Sequence, residues 1–143
     1  MQHTTRQAAL NMLQRATAFT VATVDASGYP TLVVLSPLPG NRSLNHLFFY
    51  TSRQTQTVKN LAHTHRASLL YYQVADYSSL LLRGQLTLVG NDAFDHDWHD
   101  ALNTFQQQLN YHDPVILRFQ THSLKIRHRV NTDHLELWSP EDS

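Results

Sequence analysis

The pattern of apolar and polar positions predicts a chain made mainly of strands. Residues 115–120 and 124–130 alternate between apolar and polar side chains with a period of two, which is typical of half-buried strands. Runs rich in β-branched, aromatic or leucine residues predict further strands at 19–24, 31–36, 44–51, 67–73 and 79–89. The first two of these strands are expected to form a hairpin across a turn at 25–28.

Three helices are predicted around these strands. A helix over 4–15 is expected because Thr4-Thr5 can cap its start and several apolar residues follow on one side. Apolar residues three and four positions apart predict a second helix over 54–65. A third helix is predicted over 91–109, where an Asn-Asp pair can serve as the cap.

The order of these elements favours an antiparallel barrel. One helix precedes three strands, a helix, two strands, a helix and two strands, which leaves few places for parallel crossovers. A mainly β fold with peripheral helices therefore fits better than a doubly wound sheet. We expect one domain over 1–143, with the N-terminal helix at 4–15, the barrel at 18–130 and a C-terminal tail at 131–143.

Composition and charge exclude several classes of function. The 143 residues carry 11 Lys and Arg against 11 Asp and Glu, so no broad basic field exists to attract nucleic acid. The absence of Cys excludes disulfides and cysteine-based zinc or iron–sulfur sites. No segment approaches the roughly 18 apolar residues of a membrane span, and residues 1–7 lack the apolar part of a signal peptide. We therefore expect a cytoplasmic protein that binds neither nucleic acid nor a membrane.

The segment 47–53, Leu-Phe-Phe-Tyr-Thr-Ser-Arg, is the strongest candidate for a binding site. Its aromatic part can form an apolar wall for a flat ring, and polar side chains follow where the chain turns into a predicted helix. Free N–H groups at a helix start also favour an anion. Hydroxyls and cations at such a turn can hold a phosphate, and the side chains that supply them are Thr51, Ser52, Arg53, Thr57 and Lys59.

Histidine is frequent, with 10 residues, and two of them, His96 and His99, are spaced to share one face of the third predicted helix. Asp side chains nearby could complete a shell for a divalent metal. Helical His and Asp without a partner Cys or Glu motif are more typical of a solvated face. We therefore expect no metal site.

The chain resembles the pyridoxamine 5'-phosphate oxidase-like FMN-binding split barrels, including the short general-stress-protein type. The resemblance covers about 18–129 and depends on the shared order and spacing of short motifs. These motifs are VATVDASGYP at 21–30, FFYT at 48–51, TVK at 57–59 with Leu61, and RGQL at 83–86.

This resemblance implies an antiparallel split β-barrel that forms a homodimer and holds one FMN in each of two clefts at the interface. It implies that residues 31–36 run along the flavin, that Tyr50 and Thr51 lie beside the ring or the ribityl chain, and that Thr57 and Lys59 bind the phosphate. FMN would carry out the redox chemistry. The residues that the resemblance assigns to FMN are Val34, Leu35, Ser36, Tyr50, Thr51, Ser52, Arg53, Thr57, Lys59 and Ser79.

Three departures from the family pattern argue against pyridoxamine-phosphate oxidase activity itself. The phosphate motif Ser-Arg-Lys of the oxidases has Val58 in its middle position here, and Arg53 is a hypothetical replacement for the missing cation. The oxidases carry a glutamine early in the fifth strand, where this chain has Ser79. The segment 127–129, Arg-His-Arg, does not match the spacing of their Arg-x-His-x-Arg substrate motif.

We therefore expect an FMN-dependent oxidoreductase of an unidentified small molecule, with catalytic residues unassigned. One alternative is a non-catalytic flavin-binding or orphan split barrel that has kept the dimer and lost turnover. A third reading is a haem-binding protein, because some split-barrel relatives bind haem through an axial histidine. His122, His128 and His134 lie in the C-terminal part of the chain, where such a ligand is expected.

Overall fold

The protein is represented by a computed structural model that describes residues 2–38, 42–89, 113–128 and 130–137. The helix predicted over 91–109 lies outside the described residues. The elements are α1 (Gln2–Arg15), β1 (Phe19–Val24), β2 (Pro30–Leu35), β3 (His46–Ser52), α2 (Gln56–Asn60), β4 (Arg66–Gln73), β5 (Ser78–Val89), β6 (Pro114–His128) and β7 (Asn131–Glu136).

The strands form one antiparallel sheet in the order β2-β1-β4-β5-β6-β3, and β7 pairs with β6. The two outer strands of this order meet where the chain leaves β2. Pro37 forms an isolated bridge to Phe49, and the Leu38 N–H donates a 2.8 Å hydrogen bond to the carbonyl oxygen of Phe48. The sheet therefore curls back on itself, and the predicted antiparallel split-barrel class is confirmed.

The inner face of the curled sheet holds the main hydrophobic core. Phe19, Phe49 and Phe119 are fully buried there, and the rings of Phe19 and Phe49 meet edge to face with centroids 6.1 Å apart. Helix α1 packs onto this core through Ala9, Met12 and Leu13, and Ala16 directly after the helix joins the same core. The alternation in β1, where every second residue is buried, follows from the two faces of a strand.

The start of α1 and the length of α2 differ from the prediction. Helix α1 begins at Gln2, so the predicted cap at Thr4-Thr5 is wrong; Thr5 is buried and its hydroxyl donates a 3.3 Å hydrogen bond to Asp133 Oδ2. Helix α2 covers five residues rather than twelve. After Asn60 the N–H groups bond to carbonyls three residues earlier, which tightens the chain into turns and ends the helix.

The C-terminal strands also differ from the prediction. Residues 115–120 and 124–130 were expected to form two strands, whereas Pro114–His128 is one strand of 15 residues. Its pairing with β5 shifts between Arg83 and Gly84, and this bulge allows one long strand to follow the curvature of the barrel. Strand β7 lies in the segment expected to be a tail, since Asn131–Glu136 pairs with the end of β6.

Candidate functional site

The end of β3, the turn after it and α2, residues 51–60, are called the β3–α2 connection here. This segment carries five of the ten residues assigned to FMN, namely Thr51, Ser52, Arg53, Thr57 and Lys59. Strand β3 ends with Thr51 and Ser52, which are both buried. The Ser52 carbonyl accepts a 2.8 Å hydrogen bond from the Thr55 hydroxyl, and Ser52 Oγ accepts one of 3.2 Å from the Gln54 N–H. These bonds fold the chain into a tight turn, so the hydroxyl-bearing end of β3 lies directly before the helix.

Helix α2 is capped by Thr55, whose hydroxyl oxygen accepts a 3.4 Å hydrogen bond from the Val58 N–H. Within this helix the Thr57 side chain is buried, whereas the Lys59 side chain in the last turn is exposed. The Lys59 ammonium is therefore free to move in solvent beside the turn. The sequence placed Lys59 near the start of a longer helix, and the short helix instead puts it near the end.

Arg53 is tied to the start of β6. Its N–H donates a 3.1 Å hydrogen bond to the Asp113 carbonyl, and its Nε lies 3.5 Å from Asp113 Oδ1. Both side chains are about half exposed, so the ion pair is weak and open to competition from another anion. Arg53 can replace the missing cation of the family motif only if it leaves or shares this carboxylate.

Asn60 joins α2 to the β1–β2 hairpin. Its side-chain nitrogen donates hydrogen bonds of 2.9 Å to Thr23 Oγ1 and 2.8 Å to Thr31 Oγ1. Gln56 donates to Asn60 Oδ1 at 2.7 Å, which fixes the orientation of the amide. This network was not predicted from the sequence. The sequence contained one indication of the network, a Thr on each strand of the predicted hairpin. These residues, Thr23 and Thr31, are directly opposite one another in the observed pairing.

The residues assigned to the flavin on β2 lie on an outer strand of the sheet. Val34 is 65% exposed and Leu32 is 71% exposed on the same face, whereas Leu35 is buried. Ser36 follows directly after the strand and is half-buried. An outer strand with large exposed apolar side chains is unusual in a protein that functions as a single chain.

Tyr50 and Ser79 are not adjacent within one chain. Tyr50 is buried against Leu38 and Ile116 in a small second cluster, and Ile116 pairs with Val89 at the end of β5. Ser79 lies at the other end of β5, half-buried and opposite Arg127 of β6. A single chain therefore does not bring Ser79 to the β3–α2 connection.

Lowered pKa values occur elsewhere in the fold. Burial lowers the pKa of Arg42, and burial together with the nearby Arg118 charge lowers the pKa of His46 at the start of β3. A hydrogen bond from Ser78 is the main cause that lowers the pKa of Asp76. These shifts reflect structural contacts outside the β3–α2 connection.

The three histidines considered as haem ligands are spread over β6 and β7. His128 Nδ1 lies 3.1 Å from Ser78 Oγ, and His134 is exposed opposite Lys125. His122 is half-buried and lines a groove on the outer face of the sheet. Within residues 2–38, 42–89, 113–128 and 130–137, no three His, Asp or Glu side chains are grouped to hold a metal ion. In the same part of the chain no helix is long and apolar enough to cross a membrane.

Comparison with protein families gives one match. The family described as pyridoxamine 5'-phosphate oxidase matches residues 5–127, which is most of the chain. No curated protein sequence matches.

Solved structures with the same fold are distant in sequence. A Clostridium acetobutylicum protein related to general stress protein 26 is 14% identical, with a TM-score of 0.75 over 89% of this chain and 90% of that chain. General stress protein 26 from Bacillus anthracis is 10% identical, with a TM-score of 0.72 over 92% and 98%. A heme binding protein from Mycobacterium smegmatis is 16% identical, with a TM-score of 0.70 over 90% of this chain but 57% of that chain.

Proposed function

Because this chain belongs to the pyridoxamine 5'-phosphate oxidase family, we propose that it binds FMN between two copies of itself and acts as an FMN-dependent oxidoreductase on a small molecule. The observation that carries this proposal is the grouping of hydroxyls and cations at the β3–α2 connection. A phosphate dianion needs donors that are charged or fixed in direction, and this turn contains both kinds. Its buried hydroxyls belong to Thr51, Ser52 and Thr57.

In this proposal Lys59 supplies the principal charge for the phosphate. Its ammonium is exposed, and none of the described residues forms a salt bridge with it. Arg53 contributes when the phosphate competes with Asp113 for the guanidinium, which the long 3.5 Å contact permits. FMN supplies the redox chemistry when it is bound. The chain binds the phosphate, orients the ring and limits access of water to it.

A second copy of the chain would cover the exposed apolar side chains of the outer sheet face. Leu32 and Val34 on β2 lie across β1 from Leu70 and Tyr72 on β4, which are 41% and 51% exposed. Burial of this area would stabilise a homodimer through the hydrophobic effect. A cleft between two copies also gives Ser79 a role that it lacks in one chain, because a residue of one copy can contact the flavin bound mainly by the other.

The substrate is expected to differ from pyridoxamine phosphate. Val58 replaces the middle cation of the family motif and Ser79 replaces a glutamine. The same two residues also support the alternative function, a protein that binds flavin but has lost turnover. Turnover with reduced nicotinamides and a panel of acceptors separates these two functions once FMN binding has been measured.

The proposal is tested by titrating FMN into the purified protein, with flavin fluorescence and calorimetry as readouts. Lys59 and Lys125 are the two lysines of the chain, so Lys125→Gln is a matched control for Lys59→Gln. We expect Lys59→Gln to weaken FMN binding about 10- to 100-fold, since charged hydrogen bonds contribute about 1.5 to 3 kcal/mol. Lys125→Gln should leave the affinity unchanged.

Failure of the wild-type protein to bind FMN at micromolar concentration would rule out the flavin function. Unchanged affinity of Lys59→Gln would remove Lys59 from the site while leaving the function standing. The oligomeric state, measured by sedimentation, tests the dimer separately. A monomer that binds FMN at one site per chain would contradict the interface cleft.

Haem is the second candidate ligand, because one solved structure of the same fold is named a heme binding protein. Titration with haem under the same conditions distinguishes the two ligands through the Soret band. His122→Ala, His128→Ala and His134→Ala then test the three candidate axial ligands one at a time.

A further inference from the structure

A groove of about 530 Å³ crosses the outer face of β1, β4, β5 and β6. It begins at the row of Ala22 and Ser68, beside the row of Thr20 and Leu70 where the second copy would pack, and extends away from that row. Small side chains form its floor, among them Ala22, Ser68 and Ser123. This volume lies within the range of sites for small organic ligands, about 300 to 1,000 Å³. The groove shares no residue with the set assigned to FMN, so it requires its own explanation.

Two arginines on neighbouring strands line this groove. Arg66 of β4 pairs with Gln85, and Arg83 of β5 pairs with Ser68, so the two arginines are diagonal neighbours on the same face. Diagonal neighbours on a sheet lie about 7 to 8 Å apart, within reach of each other for long side chains. Both guanidinium groups are therefore able to contact one anion between them.

No carboxylate neutralises this pair in the described residues. The salt bridge found there joins Arg53 to Asp113, in a different part of the fold. Two positive charges at this separation repel each other. Glu136 of β7 lies beyond Ser123 in the same row and lines a neighbouring smaller groove, but it forms no salt bridge with Arg83. An external anion would relieve the repulsion.

The backbone at Gly84 gives the groove its shape. A Cβ at this position would collide with the Gln120 carbonyl oxygen, so β5 and β6 approach as closely as only glycine permits. The bulge between Arg83 and Gly84 bends the sheet at the same point. His122 and Gln85 line the groove beside this bend and add groups that can hydrogen bond to a ligand.

Charge is also segregated toward this face. The chain has no net charge, yet the outward positions of β4, β5 and β6 carry Arg66, Arg83, Lys125 and Arg127. This concentration of positive charge raises the local concentration of anions near the groove. From the cavity, the paired guanidinium groups and this charge distribution, we infer that the groove is a binding site for a small phosphorylated molecule, separate from the β3–α2 connection.

Inorganic pyrophosphate is a suitable probe, because guanidinium groups bind phosphate oxygens in a bidentate manner. Its binding is measured by calorimetry on the full chain at fixed ionic strength and saturating FMN, so that the phosphate site proposed at the β3–α2 connection is already occupied, with chloride replacing pyrophosphate in the blank. We expect Arg66→Gln and Arg83→Gln each to weaken binding at least tenfold, and the double variant to abolish it. Both arginines are exposed, so the substitutions should leave the fold intact, which circular dichroism checks.

Two control variants separate this site from general attraction by charge and from the flavin site. Arg6→Gln removes an exposed cation from α1, and Lys59→Gln removes one from α2. Neither should change pyrophosphate affinity, and the double arginine variant should keep its FMN affinity.

The inference is overturned if wild type does not bind pyrophosphate, or if Arg6→Gln weakens binding as much as the groove variants do. It is also overturned if the double arginine variant loses FMN together with pyrophosphate, since the groove would then belong to the flavin site. Loss of FMN binding in Lys59→Gln alone, with pyrophosphate binding intact, bears on the proposed function and leaves this inference standing.

Discussion

The Asn60 side-chain nitrogen lies 2.8 Å from Thr31 Oγ1 and donates a hydrogen bond to it. This contact connects α2 to the outer strand β2. Because α2 carries Thr57 and Lys59 and β2 carries Val34 and Leu35, the bond links the two groups of residues assigned to the phosphate and the ring of FMN. This polar contact therefore holds the short helix α2 in position against β2.

Replacement of Asn60 should loosen this connection. Asn60→Ala removes the donor to Thr23 and Thr31, and the buried Thr23 hydroxyl keeps only its 3.3 Å contact with the Thr31 hydroxyl. We expect a loss of about 2 kcal/mol in the free energy of unfolding, measured by urea denaturation. Asn11→Ala is the control, since it breaks an exposed amide contact with Gln7 and should change stability little. Equal effects of the two substitutions would contradict the special role of Asn60.

Arg42 closes the C-terminal end of α1. Its Nη1 donates to the carbonyl oxygens of Leu13, Gln14 and Ala16, the last at 2.8 Å, and its Nε donates to Leu38. Arg42→Ala leaves these carbonyls without donors and should cost about 2 to 3 kcal/mol in thermal or chemical denaturation. Arg42→Lys keeps the charge but loses the planar guanidinium with its several N–H donors. Its stability should fall between that of wild type and that of Arg42→Ala. A neutral effect of Arg42→Ala would show that water replaces the guanidinium without loss.

Thr121 has a buried side-chain oxygen without a hydrogen-bond partner in the described part of the chain. Thr121→Val exchanges this hydroxyl for a methyl group of similar size and should stabilise the protein by about 1 kcal/mol. Thr23→Val is the matched control, because it removes an acceptor used by Asn60 and should destabilise the protein. Destabilisation by Thr121→Val would indicate that its hydroxyl has a partner after all.

Two glycines should respond differently to the same substitution. Gly84→Ala places a methyl group against the backbone of Gln120 and should cost about 3 kcal/mol or more, since the backbone must move to accommodate it. Gly28→Ala has open space around it but a φ of +88°, so only backbone strain of about 1 kcal/mol is expected. The denaturation midpoints of the two variants measure these losses of stability. A smaller loss at Gly84 than at Gly28 would contradict the close approach of β5 and β6.

His46 should make the protein sensitive to mild acid. Burial, and secondarily Arg118, lower its pKa below the ordinary 6.5, so the unfolded chain binds a proton more readily than the folded one. The stability that neutral His46 contributes is complete above pH 6.5 and is lost as the pH falls through the folded-state pKa.

Urea denaturation at pH 7.5 and pH 5 tests this effect. His46→Gln should lose less stability than wild type between these two values, and Arg118→Gln should lose an intermediate amount because it removes only the second cause. An unchanged difference between the two pH values in His46→Gln would show that other groups account for the acid sensitivity.

The sequence by itself determined which segments become strands, because alternation and β-branched runs are local properties. Strand β1 has the predicted bounds, and the bounds of β2, β4 and β5 differ by at most one residue at each end. The family resemblance was likewise readable from short motifs and their order, and the family match confirms it.

The tertiary structure decided the features that depend on partners distant in sequence. Asn60 bonds to threonines 37 and 29 residues earlier, and Arg42 bonds to the end of α1, so neither role leaves a local pattern. Strand β7 is polar and exposed at most positions and forms only because β6 offers a free edge. Arg66 and Arg83 become diagonal neighbours because β4 and β5 pair in one particular register, which the burial of one face of each strand and the turn between them set.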